Sequence, residues 1–189
     1  PRWVWNYFTN PPIELANVRD RIKGDVTTLV GFFNDELDRT VSWDDAAWMI
    51  EEWGGPFAIK GILSVEDALR AAEVGASAVM VSNHGGRQLD SSPAPIEVLP
   101  EIVDAVGDRM EVILEGGVRR GVHVLKALAL GATACSAGRP YLFGLGAGGE
   151  AGVDRALEIF RTDIERDIRI LGCRNVGEVD ANRIRRVQD

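Results

Sequence analysis

A histidine and an arginine three residues apart, His84 and Arg87, stand in the turn Ser82-Asn83-His84-Gly85-Gly86-Arg87-Gln88-Leu89-Asp90. Imidazole titrates near neutral pH and can take up a proton. A guanidinium is a planar fork that grips a carboxylate through two hydrogen bonds. The glycines between them let the backbone bend, so both side chains can aim at one small volume. A proton acceptor beside a carboxylate clamp reads as a site for a small carboxylic acid. The competing reading is an ordinary loop histidine and a solvated arginine. The chain holds only two histidines, and this one sits in a glycine-rich turn at a strand end, which raises the catalytic reading to a level with the bland one.

The elements that must position this turn follow from periodicity. Ser42 caps a helix over 43–52 that Gly54-Gly55 stops. From there strands and helices alternate. Strands are predicted at 57–60, 78–82, 111–114 and 133–137, and helices at 64–74, 96–106 and 122–130. A last amphipathic helix over 151–171 carries Val153, Leu157, Phe160, Ile164, Ile168 and Leu171 on one stripe. An internal repeat supports the scheme: Ala68-Leu69-Arg70-Ala71 with Gly75-Ala76-Ser77-Ala78 returns 56 residues later as Val124-Leu125-Lys126-Ala127 with Gly131-Ala132-Thr133-Ala134. Strand-helix units of this size argue for a parallel α/β sheet, and their repetition for a (β/α)8 TIM barrel.

A closed barrel needs eight strands, and four are found, so the chain reads as the C-terminal half, strands five to eight. In such barrels chemistry sits at the strand C-termini, with a phosphate site commonly after strands seven and eight. Lys60 ends strand five, and Ser82, His84 and Arg87 follow strand six. Glu115-Gly116-Gly117-Val118-Arg119 follows strand seven, and Gly138-Arg139 follows strand eight. Glycine-exposed N–H groups with arginine suit a phosphate.

Three segments result: an aromatic-rich loop segment and helix at 1–53, the half-barrel at 54–172, and a polar tail at 173–189. All five tryptophans lie in the first, with Tyr7, Phe8, Phe32 and Phe33. Residues 1–40 show no clean period, and Pro11-Pro12 breaks any early helix. The segment reads either as a loop packed on the domain or as a peripheral membrane contact. The net charge of −8 and the lack of a basic run disfavour nucleic acid. Cys135 and Cys173 are too few and too far apart for a disulfide framework or a zinc site, and no metal site is expected. Cys135 reads as a core residue. A cytoplasmic setting, possible contact with the cytoplasmic face of the membrane and a homo-oligomer are the expectations.

The nonamer 82–90 resembles the signature of FMN-dependent 2-hydroxy-acid oxidases and dehydrogenases, the family of glycolate oxidase, lactate oxidase and the L-lactate and mandelate dehydrogenases. Ile59-Lys60-Gly61, Gly116-Gly117-Val118-Arg119-Arg120-Gly121, Lys126-Ala127-Leu128-Ala129-Leu130-Gly131-Ala132 and Gly138-Arg139-Pro140 support it, over residues 57–175. The resemblance implies an FMN cofactor and oxidation of a small (S)-2-hydroxy acid, L-lactate ahead of glycolate or mandelate. It implies that His84 is the base in contact with the substrate and that Arg87 binds the carboxylate. Lys60 and Ser82 would lie against the flavin ring. The loop Glu115, Gly116, Gly117, Val118 and Arg119 would bind the cofactor with Gly138 and Arg139, the phosphate falling to Gly117, Arg119, Gly138 and Arg139. The family usually has Asp where this chain has Glu115, which binds the ribityl hydroxyls there. The opening Pro1-Arg2-Trp3-Val4-Trp5 is similar to the loop that contacts the membrane in quinone-linked members. The chain begins without Met, and the first four strands are the partner this half requires; alone it should not be a competent enzyme. Two other readings stay open: a flavin barrel acting on a peptide or other amine-bearing substrate, and a half-barrel that binds without catalysis.

Overall fold

The computed structural model describes residues 1–10, 31–32 and 35–185. The chain divides into two compact units, 1–41 and 42–189. In the first, residues without a clean period form a short helix, α1 (Arg2–Thr9), closed by the Thr9 hydroxyl donating to the Trp5 carbonyl at 2.8 Å. Trp5, Tyr7 and Phe8 are exposed on it, and the Tyr7 and Phe8 rings meet edge to face at 5.4 Å. Pro11, Pro12 and Phe33 lie outside the described residues.

The second unit opens with α2 (Trp43–Trp53). Ser42 caps it in a reciprocal box: the Asp45 N–H donates to the Ser42 hydroxyl, and the Ser42 N–H donates to the Asp45 carboxylate at 2.7 Å. Gly54, at φ 63°, ends it. Four strand-helix units follow: β1 (Ala58–Ile62), α3 (Val65–Glu73), β2 (Ala78–Val81), α4 (Pro95–Val106), β3 (Glu111–Glu115), α5 (Gly121–Ala129), β4 (Ala134–Ser136) and α6 (Arg139–Ile170). The strands pair in parallel, in chain order β1-β2-β3-β4.

The repeat seen in the sequence is a turn that leads from helix to strand. Gly75 and Gly131 take φ 89° and 92°, which lets the next N–H reach back. Ala76 N–H donates to the Ala71 carbonyl and Ala132 N–H to the Ala127 carbonyl, both at 3.0 Å. The following hydroxyls then grip the neighbouring strand. Ser77 Oγ accepts from Phe57 N–H and Thr133 Oγ1 from Val112 N–H, each at 3.3 Å.

Alternation divides the sheet. Val79, Val81, Val112 and Leu114 face α3 and α4 and join Leu99, Ile102 and Val106 in the core. Each such side chain contributes about 1.5–3 kcal/mol by leaving water. Lys60, Met80, Ile113, Glu115 and Ser136 lie in register on the other face, and it is this face that carries polar groups to the strand C-termini.

Three expectations are corrected. α6 begins at Arg139, twelve residues before the expected start, with a break at Gly148 and Gly149 (φ 61°, ψ −142°). The segment 139–147 is rich in glycine and reads as loop. It is helical because it crosses the segment 150–170 at Gly144 and Gly152, where a Cβ on Gly152 would meet the Gly144 carbonyl oxygen. On the expected stripe, Leu157 is exposed while Ile168 is buried. Cys135, expected in the core, is half-buried and packs against it. In the tail, Cys173 and Val179 are buried with Leu125, Ala129 and Ile168, so its first residues are part of a second small core.

Candidate active site

Every residue singled out from the sequence lies at the C-terminal end of the sheet. Ser82 is its only fully buried polar residue among those described. The Ser82 hydroxyl donates to Glu115 Oε2 and accepts from Lys60 Nζ at 3.3 Å and from the His84 N–H at 3.0 Å. A hydroxyl has one donor and two acceptor positions, so all of its capacity is used. Lys60 Nζ also lies 3.1 Å from Glu115 Oε2 and 3.4 Å from His84 Nδ1. Lys60, Ser82, His84 and Glu115 therefore form one connected network drawn from β1, β3 and the loop after β2.

Burial raises the Glu115 pKa. Hydrogen bonds from Ser82 and Lys60, with the positive charge of Lys60, outweigh it and hold the carboxyl below its ordinary value. The carboxylate is thus ionised and compensates Lys60. His84 adopts φ 55°, a left-handed conformation that costs a non-glycine residue energy. It is held there by the Ser82 hydroxyl, while Asn83 Oδ1 accepts from the Gly85 N–H at 3.0 Å.

The network opens into a cavity of about 250 Å³. His84, Arg87 and Glu115 are among the residues that line it, with Gly116, Gly117, Val118, Arg119, Gly138 and Arg139. Nine of the eleven sequence-derived residues thus share one cavity, and Lys60 and Ser82 bond to its walls. The arrangement can take up a proton at an imidazole, hold a carboxylate at Arg87 and hold a further anion between Arg119 and Arg139.

Residues 1–186 match the family described as FMN-dependent dehydrogenase. The chain belongs to that family. Pre-mycofactocin synthase of Mycobacterium tuberculosis is 42% identical over 182 residues, which is 95% of this chain and 46% of that protein. L-lactate oxidase of a Nostoc species is 44% identical over 185 residues, 94% of this chain and 50% of that protein. Among solved structures, (S)-mandelate dehydrogenase, described as a monotopic membrane protein, superposes with a TM-score of 0.90 at 36% identity, over 98% of this chain and 49% of that one. The chain thus spans about half the length of the relatives it matches. Its four parallel strands are part of the α/β barrel of these flavoproteins, and the FMN-dependent dehydrogenase family brings FMN as cofactor.

The residues present fit FMN. Gly117, at φ 72°, and Gly138 have no atom within 4 Å of the place a Cβ would occupy, so bare backbone faces open space beside Arg119 and Arg139. That is a cradle for a phosphate. Lys60 is a cation of the kind a reduced, anionic flavin ring needs nearby.

Three residues were missed in the sequence. Asn83 shapes the histidine turn through Gly85 and donates to the Pro93 carbonyl at 3.3 Å. His123 Nδ1 accepts from the Arg119 N–H at 3.1 Å and fixes the loop after β3; its position four residues after Arg119, at a helix start, was the available signal. Gly61 sits against His84, a tertiary contact with no local signature.

Proposed function

We propose that the full protein oxidises a small (S)-2-hydroxy acid to the 2-keto acid, with L-lactate ahead of glycolate and mandelate. The observation that carries this reading is the convergence of His84 and Arg87 on one cavity with the glycine-arginine cradle. Arg87 binds the substrate carboxylate through its two-pronged guanidinium, which turns the 2-hydroxyl towards His84. The His84 imidazole takes the hydroxyl proton. Lys60 and Ser82 keep the ring and its backbone in place, and Glu115 keeps Lys60 fixed. Arg119 and Arg139 hold the cofactor phosphate, with the backbone of Gly117 and Gly138. Bound FMN supplies the two-electron acceptor for the carbon centre.

The test is an anaerobic visible spectrum of the full-length protein before and after L-lactate. Bleaching of the flavin bands is the expected result. His84→Ala should slow that bleaching about 10²- to 10⁴-fold, the ordinary worth of a positioned base, while FMN stays bound. A flavin that stays oxidised with every 2-hydroxy acid sinks the reading.

A second reading is a flavin barrel that acts on a peptide or other amine-bearing substrate; the 42% identity to a protein named pre-mycofactocin synthase, rather than a hydroxy-acid enzyme, keeps a substrate outside the hydroxy acids open. Arg87 weighs against it, because a guanidinium facing the cavity calls for a carboxylate on the reacting molecule. Flavin reduction by such an amine, with none by hydroxy acids, would favour it.

We also propose peripheral contact of residues 1–40 with the cytoplasmic face of the membrane. Exposed Trp5, Tyr7 and Phe8 support this, as does the likeness to a monotopic membrane protein over 98% of the chain. Among the described residues no helix is long and apolar enough to cross a membrane.

A further inference from the structure

β1 is irregular at the site. Its register with β2 passes from Lys60 opposite Met80 to Ile62 opposite Val81, so Gly61 is an extra residue in a bulge. Gly61 takes φ 100°, in the region that favours glycine. A Cβ there would stand 2.8 Å from His84 Nε2 and 3.7 Å from both Cδ2 and Cε1. At that separation something must move, and the imidazole is the free end of a side chain, so the ring is what gives. Its other nitrogen, Nδ1, lies 3.4 Å from Lys60 Nζ, and its backbone N–H is held by Ser82 Oγ at 3.0 Å. The ring therefore sits between an ammonium on one nitrogen and a bare Cα on the other, with its backbone pinned.

We propose that Gly61 is a positioning residue for His84: the bulge in β1 and the missing Cβ together make the seat in which the imidazole meets the substrate hydroxyl. The proposal rests on the reading of His84 as the base. A methyl group at 61 fills the space beside Nε2 and displaces the ring, which has Lys60 beside its other nitrogen, while Arg87, on the far side of Gly85 and Gly86 in the chain, keeps its own place. Misplacing a reacting group by about 1 Å costs about 100-fold in rate, so the damage falls on the proton-transfer step and spares carboxylate binding.

The test uses the full-length flavoprotein with Gly61→Ala, His84→Ala and the double change. Anaerobic flavin reduction by L-lactate is followed across pH, and binding of oxalate, a carboxylate that cannot be oxidised in this way, is titrated by the flavin spectrum. Gly61→Ala should slow reduction about 100-fold and move the midpoint of its pH profile, while oxalate affinity stays within about threefold. Melting temperatures of the four proteins give a readout that needs no substrate. The drop caused by Gly61→Ala should be smaller when His84 is already Ala, because only the backbone strain then remains. Reduction near the wild-type rate, or an equal melting drop in both backgrounds, overturns the proposal. If the wild type is reduced by no 2-hydroxy acid, the functional reading fails, and the melting cycle alone judges the seat: equal drops overturn it, unequal drops uphold it. Should Gly61→Ala not fold, rescue by His84→Ala upholds the contact and continued failure refutes it.

Discussion

Glu115 is one methylene longer than the aspartate usual at this position, and the structure shows where that length goes: its carboxylate reaches both Lys60 and the Ser82 hydroxyl. Its pKa is depressed in the fold, so the folded state favours the ionised form. The stability this contributes is fully present above the unfolded pKa, about 4.3 for glutamate, and is lost as pH falls through the lower folded value. Glu115→Gln should therefore melt at a lower temperature than the wild type at neutral pH, with Lys60 left uncompensated. Below about pH 4 the two melting curves should converge, since the wild-type carboxyl is then losing its charge too. Melting temperature against pH for both proteins checks this, and parallel curves would sink it. Cys135 shows the opposite effect: burial pushes its thiol up to about 11, so it stays protonated at neutral pH and makes a poor nucleophile. At this scale the sequence was informative where a local motif marks the residues, as with His84, Arg87 and the two glycine-arginine loops, which the structure brings to one cavity. It was silent where distance does. Gly61 and His84 are 23 residues apart in the chain, and only the bulge in β1 brings them together.

Among the elements, those whose causes are local were legible. The Ser42 box, the helix stops at Gly54, Gly75 and Gly131, and the parallel order of strands follow from short-range chemistry repeated along the chain. Strand limits moved by a residue or two because pairing with a neighbour decides them. The start of α6 was not legible because its stability is tertiary. Residues 139–147 hold Gly144 and Gly146, which disfavour helix by about 1 kcal/mol each relative to alanine. Gly144 and Gly152 offset this by letting two backbones cross: a Cβ on Gly144 would stand 2.4 Å from the Gly152 carbonyl oxygen and 2.9 Å from its carbon. Gly152→Ala should thus force the segments apart and destabilise the protein by about 1–3 kcal/mol, the usual cost of overpacking. Because Arg139 begins this helix and lines the site cavity, the same change should weaken FMN retention. Denaturant unfolding and a flavin-release titration test the two effects, and a Gly152→Ala protein that matches the wild type in both would show that the crossing tolerates a methyl group.

For the whole molecule, two consequences follow from surfaces the chain leaves open. The first unit presents Trp5, Tyr7 and Phe8 outward, and aromatic side chains favour the membrane–water boundary. The full-length protein should float with phospholipid vesicles, and changing these three residues to serine should release it; unchanged flotation removes α1 from any membrane role. The second consequence concerns the sheet. Its outer strands, β1 and β4, have no further strand beside them among the described residues. On one face Ala58, Lys60 and Ala134 are exposed and Met80, Ile113 and Ser136 half-buried. Parallel sheets occur almost only with both faces covered, and a barrel of this kind closes with eight strands. The face left open here also carries Lys60 and Glu115, so the groups that would meet the flavin are those that the rest of the barrel must enclose. A polypeptide of residues 1–189 alone should therefore associate with itself in gel filtration, retain little FMN and show no bleaching with L-lactate. Co-expression with the complementary half of the full-length protein should restore a discrete species, bound flavin and bleaching together, because one closure supplies all three. If residues 1–189 alone ran as a monomer with one FMN bound, these four strands would be a complete flavin site, and the need for barrel closure would be refuted.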